Sequence, residues 1–349
     1  MSVTLKDIAR ACGTSVSSVS RILRGEDQVS RETRERVLST ARRLKYRPNL
    51  LVRGMQTGRT GLVGVLSSLD GFGVAVLGGI SERLDEDAFL PVLQSTHKHP
   101  DGYVGRTEFE RISQLIGMRI DGLILRPVED QADADHVREI RSSGVPTVVF
   151  DREFDRIPMD FVGTDDYRGG RDAARYLLGL GHRVIGHIAG PEFARTGRLR
   201  RRGFEEAIAK RRSATCRVEV DRTFSDGAAQ FAALMKGAKR PTAVFAANDL
   251  QALAALRQAH AMGLRVPEDV SILGFGDLAP GRACSPALST FDQQARQIGR
   301  AAAEVLIRRI DRRARGKKPT ARVHTEIPAV LVERKSTGPV PTRRPGEEE

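Results

Sequence analysis

The sequence predicts a large α/β domain that follows a small N-terminal module of three short helices. Apolar residues keep helical spacing up to about residue 46, and from Gly61 onward they form short runs that alternate with longer helical stretches. The chain of 349 residues is also longer than one compact core normally holds, so two or three units are expected.

Each helix of the N-terminal module has a candidate capping residue. Thr4, followed three residues later by Asp7, has the spacing of an N-cap with an acidic partner. The other boundaries form a consistent series: Gly13 ends the first helix, Ser15 with Ser18 caps the second and Gly25 ends it, and Ser30 caps a third helix over 31–44. The module is therefore predicted to be fully helical.

The larger part of the chain has the pattern of a parallel sheet with crossover helices. Apolar runs at 62–66, 122–125, 147–150, 184–188, 243–246 and 271–275 are the predicted strands. Glycines stand where the intervening helices should end, and prolines stand just before strands. The segment 336–349 is Pro-rich and ends in acidic residues, so a disordered tail is expected there.

The positive charge is concentrated at the N-terminus. The chain carries a formal net charge of +13, and residues 1–60 hold 13 Lys or Arg against 5 Asp or Glu. A concentrated basic patch attracts phosphate groups, although a basic excess can also serve solubility alone.

Cysteine usage and the N-terminus favour a cytoplasmic protein. Cys12, Cys216 and Cys284 are widely spaced and odd in number, which fits neither a disulfide framework nor a zinc signature. The sequence has no signal peptide pattern and no run of 18 apolar residues, so neither export nor membrane insertion is expected.

The first two predicted helices meet the packing requirements of a helix-turn-helix. Gly13 allows a tight turn, Ala9 is small enough for a close crossing, and Val19 can fill the core between the helices. The second helix begins with Ser15-Val16-Ser17-Ser18, which is compact enough to approach the major groove of DNA, and Arg21 follows one turn later. A plain scaffold of two helices is the alternative.

Four segments resemble the headpiece of the lactose- and galactose-repressor (LacI/GalR) family: 3–9 (VTLKDIA), 13–21 (GTSVSSVSR), 29–34 (VSRETR) and 44–49 (LKYRPN). The resemblance continues nearly to Lys335. It implies a homodimer that binds pseudo-palindromic operator DNA, with Val16 and Ser17 at the variable base-reading positions. The DNA contacts implied for residues 1–48 are Thr4, Ser15, Val16, Ser17, Ser18, Ser20 and Arg21.

The resemblance also implies a hinge helix within 49–60 that inserts an apolar side chain into the minor groove. Asn49 is its candidate N-cap, and Met55 occupies the inserting position. Gly54 costs about 1 kcal/mol relative to alanine in a helix, which suits a helix that forms only on DNA. An ordinary linker is the alternative reading.

No catalytic motif is recognisable in the α/β part. The sequence has no phosphate-binding Gly-x-x-x-x-Gly-Lys loop, no complete Gly-x-Gly-x-x-Gly motif and no Gly-x-Ser-x-Gly elbow. His97 and His99 could suggest a metal, but beside Pro100 and Asp101 they are typical of a solvated turn. We therefore expect neither an enzyme, nor a cofactor, nor a metal site.

The resemblance implies that 61–335 form a periplasmic-binding-protein-like domain of two doubly wound α/β subdomains. The first is expected at about 61–162 and 291–322, the second at about 163–290 and 323–335. The effector should bind in the cleft between them, where strands end. Carried over by position, the cleft residues are Phe72, Arg126, Asp151, Thr196, Arg200, Asn248, Asp277 and Gln293.

Planar donors and acceptors suit hydroxyl-rich ligands, so a sugar or sugar derivative is the default effector. Two departures from the family pattern make a sugar phosphate or sugar acid the second hypothesis: Gly276 stands where a carboxylate is usual, and the loop 70–73 keeps one aromatic residue, Phe72, where the family often has two. The additional arginines Arg126, Arg195 and Arg198 favour the same hypothesis.

Several of these residues have structural alternatives. Asp151 and Asp249 could cap the helices that follow them. Arg126 and Arg152 could be solvated residues at the rim.

The function expected is that of an allosteric repressor whose operator affinity a small molecule controls, with relief of repression by the ligand preferred. An exported solute-binding protein is the first alternative, because the large domain alone would look the same. An enzyme is the second.

Overall fold

The computed structural model describes residues 3–23, 29–46, 59–95, 105–128, 134–154, 157–221, 226–318 and 320–341. The chain forms two compact units, Met1–Thr60 and Gly61–Glu349. Among the described helices, none is long and apolar enough to cross a membrane.

The first unit contains the three predicted helices, α1 (Leu5–Cys12), α2 (Val16–Leu23) and α3 (Arg31–Arg43). Their apolar faces meet in one core, formed by Ile8, Ala9, Cys12, Val19, Ile22, Val37 and Ala41. Gly13 ends α1 with a φ of 61°, a conformation that glycine adopts without a steric penalty. The predicted end of α2 at Gly25 and the hinge residues Asn49, Gly54 and Met55 lie outside the described residues.

A six-stranded parallel sheet forms the centre of the first subdomain of the second unit. Its strands are β1 (Leu62–Ser67), β2 (Leu90–Ser95), β3 (Gly122–Leu125), β4 (Thr147–Phe150), β5 (Asp160–Thr164) and β11 (His324–Ile327), where the numbers follow chain order. The order across the sheet is β11-β5-β4-β3-β1-β2. The inner strands β1, β3 and β4 are almost continuously apolar, as expected for a sheet that helices cover on both faces.

Helices cover both faces of this sheet. Helices α4 (Gly71–Glu86) and α12 (Ala295–Ala314) pack on one face, and α5 (Gly105–Gly117) and α6 (Ala134–Ser143) pack on the other. The backbones of α4 and α12 touch at two glycines, because a Cβ on Gly79 would lie 2.0 Å from the carbonyl oxygen of Arg296 and one on Gly299 would lie 2.1 Å from that of Val76.

The second subdomain repeats this architecture with four parallel strands. These are β6 (Val184–Ala189), β7 (Thr215–Val220), β8 (Ala243–Ala246) and β9 (Ser271–Leu273), in the order β7-β6-β8-β9. Helices α7 (Asp166–Gly179) and α8 (Arg195–Ala209) cover one face, and α9 (Ala228–Leu234) and α10 (Asp249–Ala261) cover the other. The short helix α11 (Ala279–Ala283) follows β9. The doubly wound fold class is thereby confirmed for both subdomains.

Three connections join the two subdomains, and they correct the predicted boundaries. The chain leaves the first sheet after Thr164, returns to it through β10 (Thr290–Asp292) and α12, and leaves again after β11 towards β12 (Val330–Val332), which pairs with β10. The segment 323–327 had been assigned to the second subdomain, yet β11 pairs with β5 of the first. Neither β5 nor β11 was predicted, because polar residues interrupt both strands and leave them without a longer apolar run.

The end of the domain also lies further along the chain than predicted. Ser336 is fully buried, its hydroxyl donates to the carbonyl oxygen of Ile272 at 2.6 Å, and the amide of Val340 donates to Leu180 at 3.0 Å. Residues 336–341 therefore pack on the second subdomain, which corrects the start of the predicted disordered tail. Residues 342–349 lie outside the described part.

Candidate functional site

The N-terminus of α2 presents a compact, polar surface. The Ser15 hydroxyl accepts a hydrogen bond from the backbone amide of Ser18 at 3.1 Å, as the predicted cap requires, and it lies 2.8 Å from the hydroxyls of Ser17 and Ser18. Val16 is 40% exposed even though it is apolar. An exposed valine beside small hydroxyl groups leaves this helix end open to close approach by another surface.

The remaining predicted DNA contacts of the first unit surround that helix end. Ser17 is exposed, whereas Ser18, Ser20 and Arg21 are half-buried. Thr4 is exposed at the start of α1, where its amide and hydroxyl donate to Asp7 Oδ2 at 2.9 and 2.7 Å. These hydrogen bonds hold the pKa of Asp7 below its usual value. Val19 is fully buried between the helices, so α2 is anchored while its first turn stays accessible.

In the second unit, the cleft residues lie where strands of both subdomains end. Arg126 follows β3 and Asp151 follows β4 in the first subdomain, Asn248 follows β8 in the second, and Gln293 follows β10 in a connection between the two. The two subdomains meet beside this edge, because a Cβ on Gly71 at the start of α4 would lie 3.1 Å from Leu278. The placement at strand ends agrees with the expectation from the sequence.

Arg126 is the centre of a cluster in the first subdomain. Its Nε donates to Asp151 Oδ2 and its Nη1 to Asp70 Oδ2, both at 2.7 Å, and Nη1 also donates to the Ser68 hydroxyl. The guanidinium carbon lies 5.2 Å from the centroid of the Phe72 ring. Two carboxylates thus neutralise a guanidinium that is only 13% exposed, so Arg126 is not a solvated rim residue.

Arg200 is the centre of a corresponding cluster in the second subdomain. Its Nε donates to Asp166 Oδ1 at 2.7 Å, and its two other nitrogens donate to the carbonyl oxygen of Ala247 at 2.7 Å and to Gln293 Oε1 at 2.9 Å. The guanidinium carbon lies 4.1 Å from the centroid of the Phe275 ring. Each of the three guanidinium nitrogens therefore donates a hydrogen bond within the protein.

Asp166 belongs to this site although the sequence analysis missed it. Its side chain is 2% exposed. Desolvation raises its pKa to about 6, against the attraction of Arg200 and with the repulsion of Asp151 adding to the rise. This repulsion places the two carboxylates, one from each subdomain, within electrostatic range. The available signal was the pair Asp165-Asp166 directly after β5, a strand that was not predicted.

Arg195 forms an ionic bridge between the subdomains. At the start of α8, its Nε lies 3.3 Å from Glu153 Oε2 and its Nη2 lies 3.3 Å from Glu326 Oε1, and both glutamates belong to the first subdomain. Its guanidinium carbon lies 5.5 Å from the centroid of the Phe161 ring. The sequence had suggested an unpaired arginine available to an anion, and the structure instead pairs it with carboxylates.

Other predicted cleft residues have structural partners or are buried. Asn248 Oδ1 accepts the amide of Gln251 at 2.9 Å, which makes Asn248 the N-cap of α10. Asp277 pairs with Arg282 at 2.6 Å and with Arg334 at 2.5 Å. Thr196 is 5% exposed within the first turn of α8.

The alternative roles considered for the aspartates are resolved by the same contacts. Asp249 does not cap α10. Its carboxylate accepts the amide of Leu278 at 2.7 Å and the hydroxyl of Thr290 at 2.6 Å, and desolvation raises its pKa to about 6. It also lies 3.4 Å from where a side chain at Gly276 would begin. No helix begins directly after Asp151, which has a φ of 63°. Arg152 donates to the carbonyl oxygen of Val128.

Comparison with known families identifies both units. Residues 4–49 match the family described as bacterial regulatory proteins, lacI family, and residues 174–337 match the periplasmic binding protein-like domain. The chain is 31% identical over 352 residues to the HTH-type transcriptional regulator DegA of Bacillus subtilis (strain 168), a match that covers 98% of this chain and 100% of DegA.

Two solved structures are similar over nearly the whole chain. One is the transcriptional regulator CelR-cellobiose complex, with 31% identity, a TM-score of 0.69 and coverage of 96% of this chain and 99% of CelR. The other is the lac repressor dimer bound to operator and the anti-inducer ONPF, with 26% identity, a TM-score of 0.82 and coverage of 97% and 100%.

Proposed function

The chain belongs to the lacI family of bacterial regulatory proteins. On this premise, we propose that it is an effector-controlled, DNA-binding repressor whose two units have separate roles. The first unit binds operator DNA, and the cleft of the second binds a small neutral molecule of the sugar class. The observation that carries the effector part of this proposal is the arrangement of Arg126, Asp151, Asp166, Arg200 and Gln293 where the two subdomains meet.

The DNA-binding role rests on the accessible first turn of α2. Val16 and Ser17 face outward and read base edges, while Ser15 and Ser18 lie close to the backbone of the groove. Arg21 and Thr4 contact phosphate groups, and Ser20 completes the contact surface of α2. Asn49 and Met55 stay predictions for the hinge.

The charge balance of the cleft supports a neutral effector over an anionic one. The guanidinium groups of Arg126, Arg195 and Arg200 each lie against at least one carboxylate, so an anion would have to displace an existing ion pair. Hydroxyl groups can share these donors and acceptors without carrying charge into the cleft. The effector is therefore a sugar or sugar derivative, and a sugar phosphate is disfavoured.

Effector binding regulates DNA affinity through the contacts between the subdomains. Arg195 bridges them directly, and Gln293 links Arg200 to a connecting segment, since Thr164 donates to the same Gln293 oxygen at 3.4 Å. A ligand that binds one arrangement of the subdomains better than the other shifts the population towards it, and thereby changes operator affinity.

The homodimer uses an exposed apolar face of the first subdomain. Leu90 and Leu93 are 50% and 46% exposed on β2, the edge strand of the six-stranded sheet, and Leu69 and Val74 near the start of α4 are each 54% exposed. An exposed apolar edge strand favours packing against another protein surface. The lac repressor relative is a dimer, and a second copy of this chain is the proposed cover.

Cytoplasmic location follows from operator binding, which requires access to the chromosome. The relatives are transcriptional regulators, and an enzymatic role is not proposed.

The DNA-binding arm is tested by selecting sites for the full-length protein from random duplex DNA. We expect a pseudo-palindromic motif. Ser17→Glu should weaken binding to that motif by more than tenfold, because a carboxylate at the groove repels phosphate. Ser39→Glu is the matched control, because Ser39 is an exposed residue on α3. Equal losses in both variants would contradict the role given to α2.

The effector arm is tested by thermal shift and calorimetry with cellobiose, ribose and ribose 5-phosphate as probes. At least one neutral sugar should stabilise the protein, and Arg200→Met should abolish the effect. Binding of the phosphate ester alone would contradict the neutral class while leaving the DNA-binding arm unaffected.

A further inference from the structure

A basic cavity lies on the first subdomain, where α12 ends and the chain turns towards β11. It has a volume of about 450 Å³. Its charged lining consists of Arg308, Arg309, Asp311, Arg312, Arg315 and Lys317. None of these residues contributes to the effector cleft described above, so the cavity is a separate feature of the fold.

The positive charge of this cavity is only partly neutralised. Asp160 pairs with Arg309 at 2.6 Å, and Glu304 lies 3.5 Å from Arg308. Arg312 forms no ion pair, and the side chains of Arg315 and Lys317 form neither an ion pair nor a hydrogen bond within the described part of the chain. Among the described residues, Arg312, Arg315 and Lys317 thus have no carboxylate partner, in contrast to the paired arginines of the cleft.

The cavity wall is held in place by hydrogen bonds and apolar packing. Arg312 Nε donates to the carbonyl oxygen of Lys318 at 2.6 Å, and Arg309 donates to that of Ala321 at 2.7 Å, so both arginines tie the segment after α12 to the helix. Val305 is 5% exposed, and Val323 packs against the core of the subdomain. Arg309 and Arg312 are therefore fixed at the wall of the cavity beside an apolar floor, whereas Arg315 and Lys317 are exposed at its rim.

We propose that this cavity binds a small molecule that carries two or more phosphate groups. Its volume lies within the range of about 300 to 1,000 Å³ that is usual for small-molecule sites. Guanidinium groups bind phosphate through paired hydrogen bonds, and lysine adds a mobile point charge. Cationic side chains lie both on the last turns of α12 and on the segment after it. This arrangement matches a ligand that carries phosphate groups at two positions.

The proposal is independent of the effector cleft and of operator binding. Its test measures the binding of inorganic pyrophosphate and orthophosphate to the full-length protein by calorimetry at low ionic strength. We expect saturable binding of pyrophosphate, and binding of orthophosphate at least tenfold weaker, because one phosphate reaches fewer of the cations.

The decisive variant is Arg315→Gln with Lys317→Gln, since neither side chain has a hydrogen-bond or ion-pair partner in the segments that the structure describes. We expect at least a tenfold loss of pyrophosphate affinity. The matched control is Lys239→Gln with Arg240→Gln, which removes the same two charges from an exposed site on the second subdomain and should leave the affinity unchanged. Equal losses in the two variants, or affinities for the two anions within threefold of each other, would overturn the proposal.

Discussion

Replacement of Arg200 by methionine tests the ionic network of the cleft. Methionine keeps an apolar stem but removes the three hydrogen bonds that Arg200 donates to Asp166, Ala247 and Gln293. The Asp166 side chain is 2% exposed and would lose its counter-charge. Removal of one partner from a buried ion pair typically costs about 3 to 5 kcal/mol.

Proton uptake by Asp166 limits the electrostatic part of this loss. Desolvation raises the pKa of Asp166 to about 6 even though the charge of Arg200 lowers it. Without Arg200 the pKa would rise further, and the carboxyl group would be neutral at pH 7. To protonate a carboxyl group with a pKa of about 6 at pH 7, one unit above its pKa, costs about 1.4 kcal/mol. The charge-related loss at pH 7 is therefore limited to about that value. The hydrogen bonds to Ala247 and Gln293 add about 1 to 1.5 kcal/mol each. We therefore expect the free energy of unfolding to fall by about 3 to 5 kcal/mol.

The pH dependence of the loss has a definite sign. At pH 5 the wild-type Asp166 is already largely protonated, so the charge-related part should disappear and the loss should be smaller by about 1.4 kcal/mol than at pH 7. Urea unfolding followed by circular dichroism, at pH 5 and pH 7 and at one protein concentration, measures both quantities.

Arg202→Met is the matched control for this variant. Arg202 lies on the same helix, is 69% exposed and pairs with Glu206 at 2.8 Å, so its loss should cost less than about 1 kcal/mol. A loss below 1 kcal/mol for Arg200→Met at pH 7, or a loss that grows towards pH 5, would refute the reasoning.

Two further predictions concern packing and titration. Gly203→Ala should lower the free energy of unfolding by more than about 2 kcal/mol, because its Cβ would lie 2.0 Å from the carbonyl oxygen of Tyr167, whereas Gly179→Ala, with open space around it, should be neutral or stabilising. Similar urea midpoints for the two variants would contradict this. Burial raises the pKa of Asp249 to about 6 from 3.8, so its contribution to stability is fully present below pH 3.8 and is lost as the pH rises through 6. In urea titrations from pH 4 to pH 6, Asp249→Asn should therefore lose less stability than the wild type, and an unchanged slope would show that Asp249 does not titrate in this range.

The N-terminal helices were predictable because their determinants are local. The cap at Ser15, the turn at Gly13 and the spacing of Ile8, Val19 and Val37 are readable within a few residues of chain, and the structure confirms the helices they predict. The six predicted strands were also found, since each is a short and mostly apolar run. Strand β11 escaped prediction because its polar residues leave it without such a run.

The sequence was enough to nominate the cleft residues, whose binding roles stay predictions, but it did not identify the partners of their side chains. The structure brings together Arg126 with Asp151, and Arg200 with Gln293, as a common site requires. It also shows that Asn248 caps a helix, and it adds Asp166, which has no motif of its own.

The primary sequence was sufficient for the order of elements, the division into two units and the family, because these depend on periodicity, caps and short motifs along the chain. Tertiary structure alone decided the charge of the cleft. Arg200 reaches Gln293 across 93 positions and Arg195 reaches Glu326 across 131, and such pairings depend on which strand ends the fold brings together. An arginine available to an anion and an arginine neutralised by a carboxylate look the same in sequence, and only the packed subdomains distinguish them.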